Sequence, residues 1–141
     1  MNCEIYKKKD IIYMNKAIKY SKLSYCKNKK VGAIIVKNHR IISYGYNGTP
    51  SGFDNICEDQ NGNTKWYVLH AEANAILKMA FSSKSCKDSY LYITHSPCKE
   101  CSKLIHQSKI KRVVYLHKYS EKNDGLNFLK KSKIIIHKLI Y

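Results

Sequence analysis

One constellation limits what this chain can become more than any other: His70-Ala71-Glu72, answered further along by Pro97-Cys98-Lys99-Glu100-Cys101. Two thiolates and one imidazole fill three positions of a tetrahedral zinc ion (Zn2+) and leave the fourth for water. Glu72 is not needed as a ligand, so it is free to move protons. The Cys-x-x-Cys spacing lets one helical turn offer both sulfurs to the same metal. Pro97 suits the entry to that helix, because the N–H it lacks would find no partner there. Each half alone has an ordinary meaning. His-x-Glu is often a helix start with a capping carboxylate, and Cys-x-x-Cys is a redox pair or half of a zinc ribbon. A ribbon needs a second Cys-x-x-Cys, which this sequence lacks, and a redox pair leaves His70 and Glu72 without a task.

The pattern around these motifs alternates strands and helices. Ile11, Met14, Ala17 and Ile18 fall at helical spacing and predict an amphipathic helix over residues 10–25. Residues 31–36 and 41–46 read as strands on either side of the turn Lys37-Asn38-His39-Arg40, paired as an antiparallel hairpin. Asn47 to Asn63 is rich in Gly, Asn, Asp and Ser and predicts a loop, long enough to carry function or hide a short helix. A helix is expected from His70 to about Phe81, a strand over 90–94, a helix over 99–108, a strand over 112–116, a helix over 125–131 and a last strand over 134–136. That order predicts the α/β class with a mostly parallel or mixed sheet. His70 and Cys98 then both stand at helix starts, where unpaired N–H groups favour negative charge and help keep a thiol ionised.

A length of 141 residues suits one domain over 1–141, with its core at about 10–137. No apolar run approaches the roughly 18 residues of a membrane span, and the first residues lack the apolar stretch of a secretion signal. A cytoplasmic protein is expected. The net charge of +16 invites a nucleic-acid reading. Against it, Arg40 and Arg112 are the only arginines, and lysine, which cannot copy bidentate or stacking contacts, supplies the rest. The lysines are scattered from Lys7 to Lys138 beside abundant Ile, Asn and Tyr, as a bias toward A/T-rich codons would produce. The expectation is a solvated basic surface that draws phosphate-bearing small molecules, with no specific nucleic acid. Without a secretion signal, the six cysteines are expected as metal ligands or free thiols rather than disulfides, Cys3 and Cys86 as ordinary thiols.

Four stretches carry a resemblance: Lys30-Val31-Gly32-Ala33, the run Gly45-Tyr46-Asn47-Gly48-Thr49-Pro50-Ser51-Gly52, His70 to Ile76, and Ser96 to Cys101. The chain is similar to the dCMP deaminase family of the cytidine-deaminase-like superfamily, over nearly its whole length. The zinc motif is common to the superfamily; the Gly-Tyr-Asn-Gly-x-Pro-x-Gly segment and Asn74 point to dCMP deaminases in particular. The resemblance implies a three-layer α/β/α fold with a mixed five-stranded sheet. It implies zinc on His70, Cys98 and Cys101, with Glu72 as proton shuttle. Asn47 would contact the sugar or base, the backbones of Ala71 and Ser96 the amide edge and amine of the base, and Tyr119 would flank the nucleotide. The reaction implied is dCMP to dUMP, in a homo-oligomer, often a hexamer, with dCTP and dTTP as effectors together with Mg2+. The alternatives are tRNA adenosine or free cytosine deamination and a non-catalytic nucleotide binder; an intact Glu72 argues against the last.

Departures from the family pattern sharpen these expectations. Lys109 and Lys133 stand where glycine usually follows a helix, at a cost if the backbone is left-handed there. Phe81 replaces a usual Arg or Lys on the helix leaving the metal, which weakens the case for allosteric control. His95 stands where an apolar residue is usual, as a bystander or a replacement ligand. Some relatives hold a second, structural zinc, for which Cys26 and Cys57 are candidates; with no third and fourth ligand in view, two buried thiols are the expectation. For the substrate phosphate, Lys22, Lys27, Lys29 and Lys30 are all candidates.

Overall fold

The computed structural model describes residues 3–141, with side chains from Glu4 onward; the Cys3 thiol and the two residues before it lie outside that description. Helix α1 (Cys3–Ser21) leads to strand β1 (Gly32–Lys37) and strand β2 (Arg40–Tyr46). Helix α2 (Ala71–Lys78) runs into a 3-10 turn at Met79–Phe81, and β3 (Tyr90–His95), α3 (Lys99–Gln107), β4 (Arg112–His117), α4 (Asp124–Lys131) and β5 (Ile135–Lys138) complete the chain. Helix α1 starts seven residues before the expected position and stops at Ser21 rather than near residue 25. Its first turns are solvent-exposed and rich in lysine, a good helix former, so they extend the helix without an apolar stripe that periodicity could detect.

The five strands form one sheet in the order β2-β1-β3-β4-β5. Strand β1 is antiparallel to both β2 and β3, whereas β3, β4 and β5 run parallel. The hairpin turns through Asn38 (φ 50°) and His39 (φ 63°), the double positive φ that matches the twist of adjoining strands. Alternation along the strands divides the core. Ala33, Ile35, Leu91, Ile93, Val113 and Tyr115 face α2, α3 and α4, while Ile34, Val36, Tyr92 and Val114 face α1. This is the expected three-layer α/β/α arrangement around a mixed five-stranded sheet. Among the described residues, no helix is long and apolar enough to cross a membrane.

Two glycines let helices approach the site. A Cβ on Gly45 would lie 2.3 Å from the Ala71 carbonyl oxygen, so glycine here lets α2 settle against β2. A Cβ on Gly125 would lie 2.2 Å from the Pro97 oxygen, so α4 can begin beside the Cys98 turn. Away from the site, α1 is pinned to the sheet by a buried ion pair. Both Arg112 guanidinium nitrogens, Nη1 and Nη2, donate to the Asp10 carboxylate at 2.8 Å, and the Tyr92 hydroxyl adds a third bond at 2.7 Å. Burial alone would raise the Asp10 pKa, but the bonds from Arg112 and Tyr92 outweigh it and hold the carboxyl below its usual range. One of only two arginines is thus an internal strut.

Lys109 (φ 67°) and Lys133 (φ 62°) are left-handed, as their positions after α3 and α4 suggested. Each carries the Cβ penalty that glycine avoids. Lys109→Gly and Lys133→Gly are each expected to stabilise the protein by up to about 1 kcal/mol, less the entropy that glycine adds to the unfolded chain. Denaturant titration would reveal this as a higher midpoint at unchanged slope; a lower midpoint would show that the lysines contribute contacts that outweigh the strain.

Candidate active site

His70 and Cys98 are both helix N-cap residues with extended backbones, His70 for α2 (φ −76°, ψ 156°) and Cys98 for α3 (φ −72°, ψ 172°). Cys101 lies in the first turn of α3, and its N–H donates to the Cys98 sulfur at 3.5 Å. The Cys98 turn is closed further by the Ser102 hydroxyl, which donates to the Cys98 carbonyl at 2.8 Å. Across the seam between α2 and α3, His70 Nδ1 lies 3.5 Å from Cys98 Sγ and 3.3 Å from Cys101 Sγ.

These separations fit zinc. Bond lengths near 2.3 Å to sulfur and 2.0–2.1 Å to nitrogen put N and S about 3.5 Å apart on a tetrahedron. The donor set, one imidazole and two sulfurs, is also what zinc selects. The protonation pattern points the same way. Hydrogen bonding from Cys101, opposed by burial and helped by His70, brings Cys98 down to about 4. Cys101 is pushed up, first by its bond to the Cys98 sulfur and then by burial and the nearby Glu72. The bond to Cys98 outweighs burial and raises His70.

Glu72, in the first turn of α2, is 3% exposed. Burial dominates its titration and pushes the carboxyl up to about 7, against the opposing effects of its own backbone N–H and of His70. His70, Ala71, Glu72 and Cys98 line a cavity that opens at one end of the sheet, where β1 begins and where β2, β3 and β4 end. Asn47, Ser96 and Tyr119 line it as well, so the chain brings together all the expected site residues; Cys101 alone is buried outside the wall.

Individual positions differ from expectation in what they do. The Asn47 amide holds the entry to β1, accepting from the Val31 N–H at 2.9 Å and donating to the Lys29 carbonyl at 2.7 Å. One amide hydrogen remains for a ligand. Ser96 donates its own N–H to the His117 carbonyl at 2.8 Å and accepts the Tyr119 N–H on its hydroxyl at 2.8 Å. What it can offer an amine is its carbonyl. Of Gly45–Gly52, only Asn47 reaches the wall, and Asn74 does not: its side chain donates to the Tyr46 carbonyl at 2.8 Å and ties α2 to the end of β2. Phe81 is 92% exposed, on the 3-10 turn. His95 lines the cavity but stands outside the ligand triad. The Thr94 hydroxyl accepts from the Gly32 N–H at 3.2 Å and lies 3.1 Å from His95 Nδ1. Burial, with Lys29 and His117 nearby, brings His95 down to about 4, so the ring is neutral near pH 7.

Cys26 and Cys57 correct the expectation of free thiols. They form a disulfide, 2.03 Å between sulfurs, that joins the loop after α1 to the long loop after β2. Glu58 clusters with them, but its carboxylate accepts the N–H groups of Lys27 and Asn28, and sulfurs bonded to each other offer no thiolate pair to a metal. Cys86 is a free, buried thiol, as expected. The long loop hides no helix. The segment between β2 and α2 supplies Asn47, Thr64 and Val68 to the wall, and nothing in the sequence singled out the last two.

One imidazole and two sulfurs at two helix starts could together hold a metal ion, with a buried carboxylate beside them and a cavity in front. The chain belongs to the cytidine and deoxycytidylate deaminase zinc-binding family, whose model matches residues 7–117. Among similar proteins are the deoxycytidylate deaminases of Enterobacteria phage T4 and Mycobacterium phage D29. The first is 34% identical over 146 residues, covering 74% of this chain and 76% of the relative. The second is 34% identical over 120 residues, covering 75% and 92%. The fold also matches the crystal structure of dCMP deaminase from the cyanophage S-TIM5 in complex with dCMP and dUMP, with 47% identity, a TM-score of 0.90 and 98% coverage of both chains.

Proposed function

We propose that this protein hydrolyses dCMP to dUMP, with water consumed and ammonia released, and so supplies dUMP for thymidylate synthesis. The observation that carries the reading is the zinc-shaped triad of His70, Cys98 and Cys101 with a buried Glu72 at its side, in a chain similar to several deoxycytidylate deaminases. His70, Cys98 and Cys101 hold the metal. When bound, zinc supplies a nucleophile at neutral pH by lowering the pKa of its water from 15.7 to about 7. Glu72 does the proton work: it takes one proton from water and gives it to the ring nitrogen. It then takes the remaining proton of the hydroxyl added to the ring and passes it to the amine, which leaves as ammonia while the ring carbonyl forms. The Ala71 N–H, in the first turn of α2 with no intrahelical acceptor, faces the amide edge of the base, and the Ser96 carbonyl takes the amine. Tyr119, its ring centre 6.1 Å from that of His70, flanks the nucleotide. Assembly into a homo-oligomer, a hexamer by family habit, belongs to the same reading, as do dCTP and dTTP as effectors with Mg2+.

The test is an activity panel of dCMP, CMP, deoxycytidine, cytosine and adenosine-containing RNA, run beside metal analysis. The expected result is about one zinc per chain and turnover of dCMP far above the rest. Deamination of RNA without deamination of dCMP would overturn the reading.

A further inference from the structure

The Cys26–Cys57 bond belongs to the cavity wall. Cys26 lines the cavity itself, and the bond ties together two irregular segments that both face it. The segment between α1 and β1 supplies Lys29 and Val31, and the segment between β2 and α2 supplies Thr64 and Val68. Neither contains a helix or a strand of the sheet, so each takes its position from what it touches.

Three kinds of contact join the two segments. The Ser24 hydroxyl donates to the Asn47 carbonyl at 2.8 Å, but this bond sits at their foot, just past α1 and just past β2. Farther out, the Glu58 carboxylate accepts the Lys27 and Asn28 N–H groups at 3.0 and 3.2 Å. Asn28 Nδ2 donates to the Gly62 carbonyl at 2.9 Å and to the Thr64 hydroxyl at 3.1 Å. These outer bonds are exposed, and water substitutes for exposed hydrogen bonds at little cost. The third contact is the disulfide, with Cys26 2% and Cys57 1% exposed, and among the described residues it is the one covalent link. Lys29 carries its restraint to the far side of the cavity, because the ammonium donates to the Tyr119 carbonyl at 2.9 Å.

We propose that the Cys26–Cys57 pair is a redox latch: oxidised, it holds both wall segments in the arrangement that binds nucleotide, and reduced, it releases them and weakens binding. This rests on the reading of the chain as a dCMP deaminase. Reduction takes two electrons and two protons from a dithiol, which closes to its own disulfide while Cys26 and Cys57 become thiols. A ligand must then order the released segments as it binds, so the effect falls on affinity and not on the reacting ring. The coupling is reciprocal: bound nucleotide protects the bond from reduction by the same factor.

The experiment uses zinc-loaded protein purified without reductant, its thiols counted by alkylation and mass spectrometry. One portion is reduced with dithiothreitol and freed of it before assay, and zinc content is recorded for both. Reduction should raise the KM for dCMP and the Kd for dUMP about 5-fold or more, with kcat within a few-fold. Saturating dUMP should raise the ratio of reduced to oxidised dithiothreitol that half-opens the bond, by the factor that separates the two Kd values. The double variant Cys26→Ser, Cys57→Ser should show the reduced-state KM whatever the treatment, and Cys86→Ser should respond as wild type does. Should the double variant fail to fold, the two states of the wild type still decide. Equal or tighter binding after reduction, free Cys26 and Cys57 thiols before it, or a change that follows zinc content would overturn the latch and leave the dCMP reading intact. A zinc-loaded wild type that neither binds dUMP nor deaminates dCMP in either state would overturn both.

Discussion

Glu72→Gln should keep close to one zinc per chain and lose about 10²- to 10⁴-fold in kcat, the range attributable to a positioned general acid–base. The amide is nearly isosteric, and the substitution removes none of the three donors, His70, Cys98 and Cys101. The stability effect has a definite sign. The folded-state pKa of Glu72 lies above that of an exposed carboxyl, so in the metal-free protein its ionisation opposes folding above about pH 4.5. The amide removes that cost, and metal-free Glu72→Gln should melt no lower than metal-free wild type at pH 8. A variant with zinc and full activity would remove Glu72 from the mechanism.

Arg112→Ala should be the most destabilising single change outside the site. It leaves the Asp10 carboxylate, 2% exposed, without its counter-charge. Breaking one half of a buried pair costs about 3–5 kcal/mol, which in a chain of this size lowers the melting temperature by roughly 10 °C or more. Activity at 25 °C should be little changed, because the pair lies at the opposite end of β4 from the cavity. The pH dependence checks the cause. Asp10 titrates below its unfolded value, so its contribution is present above about pH 4 and fades as pH falls through the lower, folded-state pKa. In Arg112→Ala burial has no opposing partner of that strength, and the same carboxyl should instead favour the folded state as the medium is acidified. Equal acid sensitivity in both proteins would show that the ion pair is not the source.

Much of this molecule is written locally, and that part was legible. The strands are short apolar runs between turn residues, and the observed boundaries of β1 to β4 lie within a residue or so of those expected. Lys109 and Lys133 stand where the resembled family usually has glycine after a helix, and that likeness raised the left-handed backbone that both adopt. The metal triad was legible because metal chemistry restricts residue type and spacing together. What escaped was long-range. Cys26 and Cys57 are separated by 31 positions, and the expectation of a reducing compartment pointed away from a bond that only the meeting of two loops makes. Asp10 and Arg112 are 102 positions apart, one on α1 and one at the start of β4. Lys29 was one lysine among many until the fold set it against Tyr119. Asn74 looked like a specificity residue, but its side chain ties a helix to a strand.

The sheet has two ends, and they carry different obligations. At one, the hairpin turn and the Arg112–Asp10 strut fasten the layers together; at the other, Lys29, Asn47, His95 and Tyr119 shape the space before the metal. Changes at the second end need not disturb the first. A scaffold divided in this way can drift in what it accepts, one loop residue at a time, without risking its ability to fold.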